Sequence, residues 1–456
     1  MATYSLTPVN VPKVKTANRS IQTAIPVPES LPLFEALQNS EPRSMSGQPP
    51  IIWHSATGFH VEDKFGNKWI DWSSGVLITN AGHGHPRIKQ KLHEIIDQNL
   101  LATYVFVHEG RIELTKALQD LSPDPANYCV FLLSTGAEAT ENCIKLAKTY
   151  AVTKYGKSKK YFISFTSAFH GRTMGSQLAG GWATQKTWII DGDKTFIQVP
   201  FPEGFRNTDT SFDSFLKALD VNNIKPEEIA GVMSESYQGA GPDFLPVEYA
   251  KELEKFCRKY DICLIMDEVQ AGFGRTGKMF AFEHYGIKPD LIACGKGISS
   301  SLPISAVIGR KDIMDLYAPG SMTSTHSASP LCVAAALENI KILQDEKMVE
   351  HAAKIGEILV PAIQRLQKKY PNNLTWANGK GCVAGIRCTK GNKEPDPETS
   401  QKINLACLYR GLLMFAPVGT GGECVKIAPP LCITEEAMRE AIAVLEEACD
   451  EVLGGK

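Results

Sequence analysis

Short apolar runs alternate with helix-length segments between residues 128 and 310. Seven runs have this form: YCVFLL, KYFISF, TFIQVP, IAGVMSES, ICLIMDE, DLIACG and ISAVIG. Strands that are apolar on both faces are typical of a sheet covered by helices on both sides. The pattern predicts an α/β fold with a mainly parallel, seven-stranded sheet. In such sheets ligands bind beyond the carboxyl ends of the strands, so the residues after each run are candidates for chemistry.

The flanking segments have other patterns. GFHVEDKFGNKWIDWSS has two alternating stretches around Phe65-Gly66-Asn67, which predicts a hairpin. The last 120 or so residues combine helical patterns with the strand-like runs LTWANGKGCVAGIRC and ECVKIAPPL. We therefore expect a large domain over residues 81–330 and a smaller α+β domain over 331–456. Residues 1–80 are expected to form an arm and a hairpin that contribute to the small domain.

The composition of the chain limits the classes of molecule that it is expected to bind. The chain has 456 residues, 21% of them charged, and a formal net charge of −2, so it carries no excess charge to attract nucleic acid or a membrane surface. No apolar run approaches the roughly 20 residues that cross a bilayer. The 12 cysteines form no Cys-x-x-Cys pair and are typical of reduced core residues in a cytoplasmic protein. Small-molecule partners are therefore expected.

Two motifs do not fit the sites that they resemble. GFGRTG, residues 272–277, matches the dinucleotide-binding pattern, but Asp267 to Gln270 separate it from the preceding strand and no long helix clearly follows. A nicotinamide dehydrogenase stays an outside alternative. His83 and His85 in HGHP lack further ligands at metal-binding spacing, so no metal site is predicted.

The segment LLSTGAEATENCIKLAK predicts a strand followed by a helix start. Thr135 and Glu138 have the spacing of a capping box, and Gly136 lets a ligand approach the backbone. Free amides and the helix dipole at such a start attract anions, although a plain helix cap would give the same pattern.

Two further strand ends carry charged residues. Asp267 ends the apolar run ICLIMDE, where an acid is costly to bury unless a cation meets it, either a ligand or a lysine or arginine of the chain. Lys296 stands between two glycines in LIACGKGISSSLP. An anion site, a buried acid and an unobstructed amine together fit pyridoxal phosphate (PLP). Its ring nitrogen would face Asp267, and its aldehyde would form a Schiff base with Lys296.

The string DEVQAGFGRTGKMFAFEHYGIKPDLIACGKGI resembles the class III aminotransferases, which are fold type I PLP-dependent transferases. The group includes 4-aminobutyrate, β-alanine and ornithine aminotransferases, and the likeness extends from GFHVEDK to VKIAPPL. It implies that Lys296 and Asp267 are catalytic residues. It also implies a set of further cofactor-binding residues: Gly136 and Ala137 at the phosphate, Phe169 on the ring face, and Gln270 near the ring hydroxyl.

The resemblance also implies a homodimer with shared active sites. Thr325, in STHSASPLC, matches a threonine that reaches the cofactor phosphate from the partner subunit.

Three positions bear on the substrate. Arg172 of FHGRT matches the arginine that binds the distal acid of the donor in 4-aminobutyrate-type members. Lys426 of VKIAPPL stands where the family has an arginine for the α-carboxylate of the acceptor, and lysine cannot form the two-bond fork of guanidinium. Glu235 of ESYQGAGP is kept, but Ala240 replaces the acid that neutralises this arginine in many members.

The resemblance implies ping-pong transfer of an amino group from an ω-amino acid to a 2-oxo acid. The donor would be of the 4-aminobutyrate, β-alanine or taurine type. An amino-acid racemase or epimerase with the same cofactor is the alternative, and a binding protein that has lost turnover is a third hypothesis.

Overall fold

The computed structural model describes residues 4–454. The chain forms two compact units: Pro86–Val349 is one, and the residues up to His85 together with those from Glu350 onward form the other. The division differs from the expected boundaries after residues 80 and 330. Residues 331–349 lie in the larger unit because helix Pro330–Asp345 packs against helices Pro86–Asp97 and Glu109–Asp120.

The larger unit contains a seven-stranded sheet that includes all seven predicted runs, which confirms the α/β class. Across the sheet the strand order is Tyr128–Leu133, Ser305–Arg310, Leu291–Cys294, Cys263–Asp267, Ile229–Glu235, Tyr161–Phe165 and Phe196–Val199. Ser305–Arg310 runs antiparallel to both neighbours, and the other strands share one direction. Their carboxyl ends therefore meet along one edge.

Helices cover this sheet and connect its strands. They are Pro86–Asp97, Glu109–Asp120, Gly136–Tyr155, Met174–Ala179, Asp213–Val221, Val247–Tyr260, Lys311–Met314 and Pro330–Asp345. Gly136–Tyr155 shows why they pack there. Its buried Ala139, Cys143, Leu146 and Ala147 recur at helical spacing and face the sheet. A small ribbon pairs Tyr237–Gln238 with Asp243–Phe244.

The second unit contains two sheets. The first has the strands Val14–Lys15, Ser20–Ile21, Ser55–Thr57, His60–Glu62, Lys68–Asp71 and Leu412–Leu413. His60–Glu62 and Lys68–Asp71 pair antiparallel and form the predicted hairpin. The second sheet is antiparallel, with the strands Leu374–Lys380, Val383–Cys388 and Cys424–Ile427. Its helices are Leu31–Ser40, Ser74–Leu77, Pro397–Leu408, Glu435–Leu453 and most of Met348–Lys369.

Across the described part of the chain, 4–454, no helix combines the length and the apolar character needed to span a bilayer. The cysteines are free thiols, and most of them are buried.

Candidate active site

The start of helix Gly136–Tyr155 leaves two amides open to an anion. Thr135 Oγ1 accepts from the Glu138 amide at 3.3 Å, and Glu138 Oε2 accepts from the Thr135 amide at 2.9 Å, so the predicted capping box is present. Within residues 4–454, no group accepts a hydrogen bond from the amides of Gly136 and Ala137. These two residues were predicted to hold the cofactor phosphate, and the free amides at a helix start suit that role.

Three segments that are far apart in sequence meet at two glycines. A Cβ atom on Gly136 would lie 2.8 Å from Val269 Cγ1, two residues after Asp267. A Cβ atom on Gly295, next to Lys296, would lie 3.2 Å from the same methyl group and 3.4 Å from the Cα of Gly136. Contacts this short leave no room for a side chain at either glycine. Because both positions are glycine, the helix start, the strand end at Asp267 and the segment of Lys296 can lie against one another.

Asp267 is buried and forms a hydrogen-bonded pair with a histidine. Its Oδ2 lies 2.7 Å from His170 Nδ1, and its Oδ1 accepts from the Val269 amide at 3.0 Å. Burial acts to lower the pKa of His170, but the hydrogen bond and charge of Asp267, with the charge of Glu235, outweigh it and raise the pKa. The pair therefore holds the Asp267 carboxyl group in place, with one oxygen on His170 and the other on the backbone.

Lys296 occupies a strained and partly buried position. Its φ is +43°, in the left-handed region that non-glycine residues rarely adopt, and it begins the short 3₁₀ helix Lys296–Ile298. Asn339 Nδ2 donates to the carbonyls of Gly297 at 2.9 Å and Ile298 at 3.0 Å and so holds this turn. Burial lowers the pKa of Lys296, against the opposing charges of Asp267 and Glu235. More of the amine is then neutral and nucleophilic at a given pH than for an exposed lysine.

The loop after strand Tyr161–Phe165 carries Phe169 and Arg172. Gly171 has a φ of +130°, and a Cβ atom there would lie 2.8 Å from the Cβ of Ala137, so this loop packs on the helix start. The exposed guanidinium of Arg172 lies 5.7 Å from the centre of the Phe169 ring. The loop thus places the predicted ring-stacking residue and the predicted donor-binding residue side by side.

Glu235 contacts both this loop and Gly239, and Gln270 lies against Gly239. Glu235 is 3% exposed, and its two oxygens accept from the amides of Phe169 at 3.0 Å and Gly239 at 2.8 Å. A Cβ atom on Gly239 would lie 2.2 Å from Gln270 Nε2. The role of Glu235 in substrate binding stays a prediction, and its contacts here are with the backbone.

Two further predicted residues, Thr325 and Lys426, lie on other segments of the chain. Thr325 is exposed on the loop before helix Pro330–Asp345, and its neighbour Ser324 lies with Oγ 3.5 Å from Glu138 Oε1. Lys426 belongs to the other unit, where it is buried on strand Cys424–Ile427 opposite Gly385. Binding of the acceptor by Lys426 and of a partner's cofactor by Thr325 stay predictions.

His170 and Asn339 are not among the residues predicted for the site, and Glu268 is predicted only as an acid beside Asp267 at the strand end. His170 directly follows Phe169, and its polar ring in the run SAFHG was a usable signal. Asn339 lies within the apolar helix run VAAALENIKIL, where a buried amide calls for a specific partner. Glu268 is buried and accepts from the amides of Ala281 and Phe282, both at 2.9 Å, and burial raises its pKa to about 7.

These residues fit pyridoxal phosphate. An anion site, a buried carboxyl group paired with a histidine and an amine with a lowered pKa come together here, which matches the three polar parts of that molecule. The glycine-rich stretch 272–277 lies in turns, and no helix opens from it, so it lacks the geometry of a dinucleotide site. Among the described residues, 4–454, no cluster of histidine, cysteine and acidic side chains is arranged for a metal ion.

We predict that His170→Phe lowers both the folding stability of the protein and its affinity for PLP. Removing the hydrogen-bond partner of a buried carboxylate should lower the free energy of unfolding of the cofactor-free protein by about 1–3 kcal/mol. Affinity for PLP should fall as well, because Asp267 loses the group that orients it. His170→Asn is the matched control, since its amide can replace the Nδ1 donor. Unchanged PLP affinity in His170→Phe, measured by fluorescence titration, would show that the pair has no role in the site.

Comparison with known proteins gives a consistent result. The family model for "Aminotransferase class-III" matches residues 43–449. A 4-aminobutyrate aminotransferase from Mycobacterium leprae is 31% identical and covers 94% of this chain and 97% of its own. An alanine/serine racemase from Pyrococcus horikoshii is 31% identical, with 89% of this chain and 87% of its own covered.

A solved structure agrees with the sequence relatives. The (S)-enantioselective omega-transaminase from Thermomicrobium roseum superposes with a TM-score of 0.84 at 26% identity, over 93% of this chain and 99% of its own. The matched region contains the whole of the larger unit, part of the other and every predicted site residue. The chain belongs to the class III aminotransferases and is a PLP-dependent enzyme.

Proposed function

We propose that this enzyme transfers the amino group of an ω-amino acid to a 2-oxo acid, and that Arg172 binds the distal acid of the donor. One observation carries the proposal. Arg172 is an exposed cation beside Phe169, and no carboxylate within residues 4–454 forms an ion pair with it. A guanidinium in that position can form a two-bond contact with a donor carboxylate or sulfonate. The 4-aminobutyrate aminotransferase and the omega-transaminase among the relatives support this donor class.

The residues of the chain have separate tasks in this reaction. When bound, PLP supplies an electron sink that stabilises the negative charge left on the donor carbon after proton loss. Lys296 would accept that proton as a general base and pass it to the cofactor rather than back to the donor carbon. Asp267, held by His170 and the Val269 amide, would stabilise positive charge on the ring nitrogen, and the amides of Gly136 and Ala137 would hold the phosphate.

A racemase is the second candidate because one relative has that activity by name, at the same 31% identity as the aminotransferase relative. The two reactions share the removal of a proton from an amino acid. A racemase returns the proton to the same carbon and needs no 2-oxo acid, so the two candidates give different products.

We also propose that the enzyme works as a homodimer. The segment between helices Pro86–Asp97 and Glu109–Asp120 exposes several apolar side chains: Phe106 is 76% and Val107 72% exposed, and Leu101 is also exposed. Ile112, in the first turn of the second helix, is exposed as well. Exposed apolar side chains grouped in one segment are costly to leave in water, and a second copy of the chain is the occupant that the predicted role of Thr325 also implies.

The free cysteines support a cytoplasmic location. Thiols persist in a reducing compartment, whereas a protein of an oxidising compartment would tend to pair them.

Lys296→Ala should abolish covalent attachment of PLP and lower turnover by roughly 10²–10⁴-fold or more, because the general base is lost. Borohydride reduction followed by peptide mass spectrometry should place the cofactor on Lys296 in the native enzyme and nowhere in the variant. Lys278→Ala, at an exposed lysine, is the control. Cofactor attached to another lysine, or full turnover by Lys296→Ala, would contradict the assignment.

The donor class is tested by conversion of the enzyme to its pyridoxamine form without a 2-oxo acid present. We expect 4-aminobutyrate, β-alanine or taurine to change the visible spectrum. Alanine and serine, by contrast, should not be racemised when their enantiomers are separated by chromatography. Racemisation of an α-amino acid without spectral conversion by any ω-amino acid would favour the second candidate.

Arg172→Met should raise the KM for the ω-amino donor about 10–100-fold, since a charge-assisted hydrogen bond contributes about 1.5–3 kcal/mol. A primary amine without an acid group should be converted as before. Arg206→Met is a matched control because Arg206 is also exposed, and its guanidinium lies 5.5 Å from the centre of the Phe205 ring. Equal loss for donors with and without an acid would remove Arg172 from donor recognition.

Phe106→Glu should convert the dimer to a monomer in sedimentation experiments, because it places a charge in the apolar surface. Ile190→Glu is the control: Ile190 is 85% exposed and lies outside this segment. A Phe106→Glu protein that stays dimeric would show that this surface is not the interface.

A further inference from the structure

The carboxylate of Glu235 joins two loops that follow different strands. Glu235 is the last residue of strand Ile229–Glu235 and pairs in register with Asp267 on the neighbouring strand. Its Oε2 accepts from the Phe169 amide at 3.0 Å, and its Oε1 accepts from the Gly239 amide at 2.8 Å. Each oxygen therefore holds one loop, and the carboxylate fixes the distance between the two.

Each loop positions a residue that is predicted to touch the cofactor. The first contains Phe169, expected on the ring face, and His170, which holds Asp267. The second contains Gly239, whose missing side chain leaves space for Gln270, expected near the ring hydroxyl. A small change in the spacing of these loops would move Phe169 and Gln270 relative to each other.

We propose that Glu235 is a positioning residue that sets the affinity for PLP by holding the backbone of Phe169 and Gly239 at a fixed separation. Both of its oxygens are engaged by amides, so it acts on the site through the backbone rather than by contact. The proposal rests on the assignment of this site to PLP and does not depend on which donor is used.

The charges around Glu235 make the two contacts sensitive to pH. His170, Asp267 and Lys296 are the titratable groups whose charges act on Glu235 or are acted on by it. Burial raises the pKa of Glu235 to about 7; the charge of His170 opposes this rise, and that of Asp267 adds to it. Protonation turns one accepting oxygen into a hydroxyl, so one of the two amide contacts should weaken as pH falls through about 7.

Glu235→Gln tests the proposal without any donor. A glutamine can accept with only one oxygen, so one of the two amides loses its partner. In the cofactor-free protein, hydrogen exchange at the Phe169 or Gly239 amide should accelerate about tenfold or more. The dissociation constant for PLP should rise about tenfold, and the variant should lose the wild-type weakening of PLP binding between pH 8 and pH 6.

Glu268→Gln is the matched control because Glu268 is an equally buried glutamate that accepts from different amides, those of Ala281 and Phe282. It should accelerate exchange at these amides and leave those of Phe169 and Gly239 unchanged. Glu235→Asp is the second variant if Glu235→Gln does not fold: it keeps the charge but is one methylene too short to reach both amides.

Two results would overturn the proposal. One is unchanged exchange at both Phe169 and Gly239 in Glu235→Gln and Glu235→Asp. The other is accelerated exchange with unchanged PLP affinity, which would leave Glu235 a structural residue only. Failure of every ω-amino donor would contradict the proposed function and leave these measurements intact.

Discussion

The buried negative charge of Asp267 is the constraint on which the rest of the site depends. A carboxylate at the end of a central strand is costly to desolvate, and His170 and the Val269 amide offset that cost by hydrogen bonding to its two oxygens. The ring nitrogen of bound PLP is the further partner that we propose for it. The same charge acts on His170, Lys296 and Glu235, whose pKa values all respond to it. The site is thus one coupled set of charges rather than a list of separate ligands.

Glycine determines how closely the parts of this set approach. Gly136 and Gly295 both contact Val269, and Gly171 contacts Ala137, so three strand ends and one helix start meet without intervening side chains. The seven-stranded sheet brings these ends to one edge, and the glycines set the final distances. The site is thus built from the ends of parallel strands and from glycines where those ends and the helix start meet.

Much of this arrangement could be predicted from the sequence. The seven apolar runs form the seven strands because a short, continuous apolar stretch in a large domain is most easily buried as a strand in the middle of a sheet. The capping box at Thr135 marks the start of its helix directly. The glycines beside Lys296 were visible, but their contact with Val269 was not, since periodicity carries no information on which loops meet. For the same reason the hydrogen bonds of Glu235 to Phe169 and of His170 to Asp267 could not be predicted, since they join residues 66 and 97 positions apart. The division between the units also escaped local patterns, because the packing of helix Pro330–Asp345 on two earlier helices is a long-range contact.

The positive φ of Lys296 lowers the folding stability of the protein at a residue that is predicted to carry its chemistry. A side chain in the left-handed region costs about 1–2 kcal/mol, which glycine at the same position would not incur. Glycine in place of Lys296 would therefore relieve this strain, while Asn339 donates to the two carbonyls that follow and so holds the turn. Other non-glycine residues, Phe273 and Ser300 among them, share the left-handed backbone, so the conformation alone does not mark the reactive lysine. At Lys296 it sets a cost in folding free energy against the amine that the site presents.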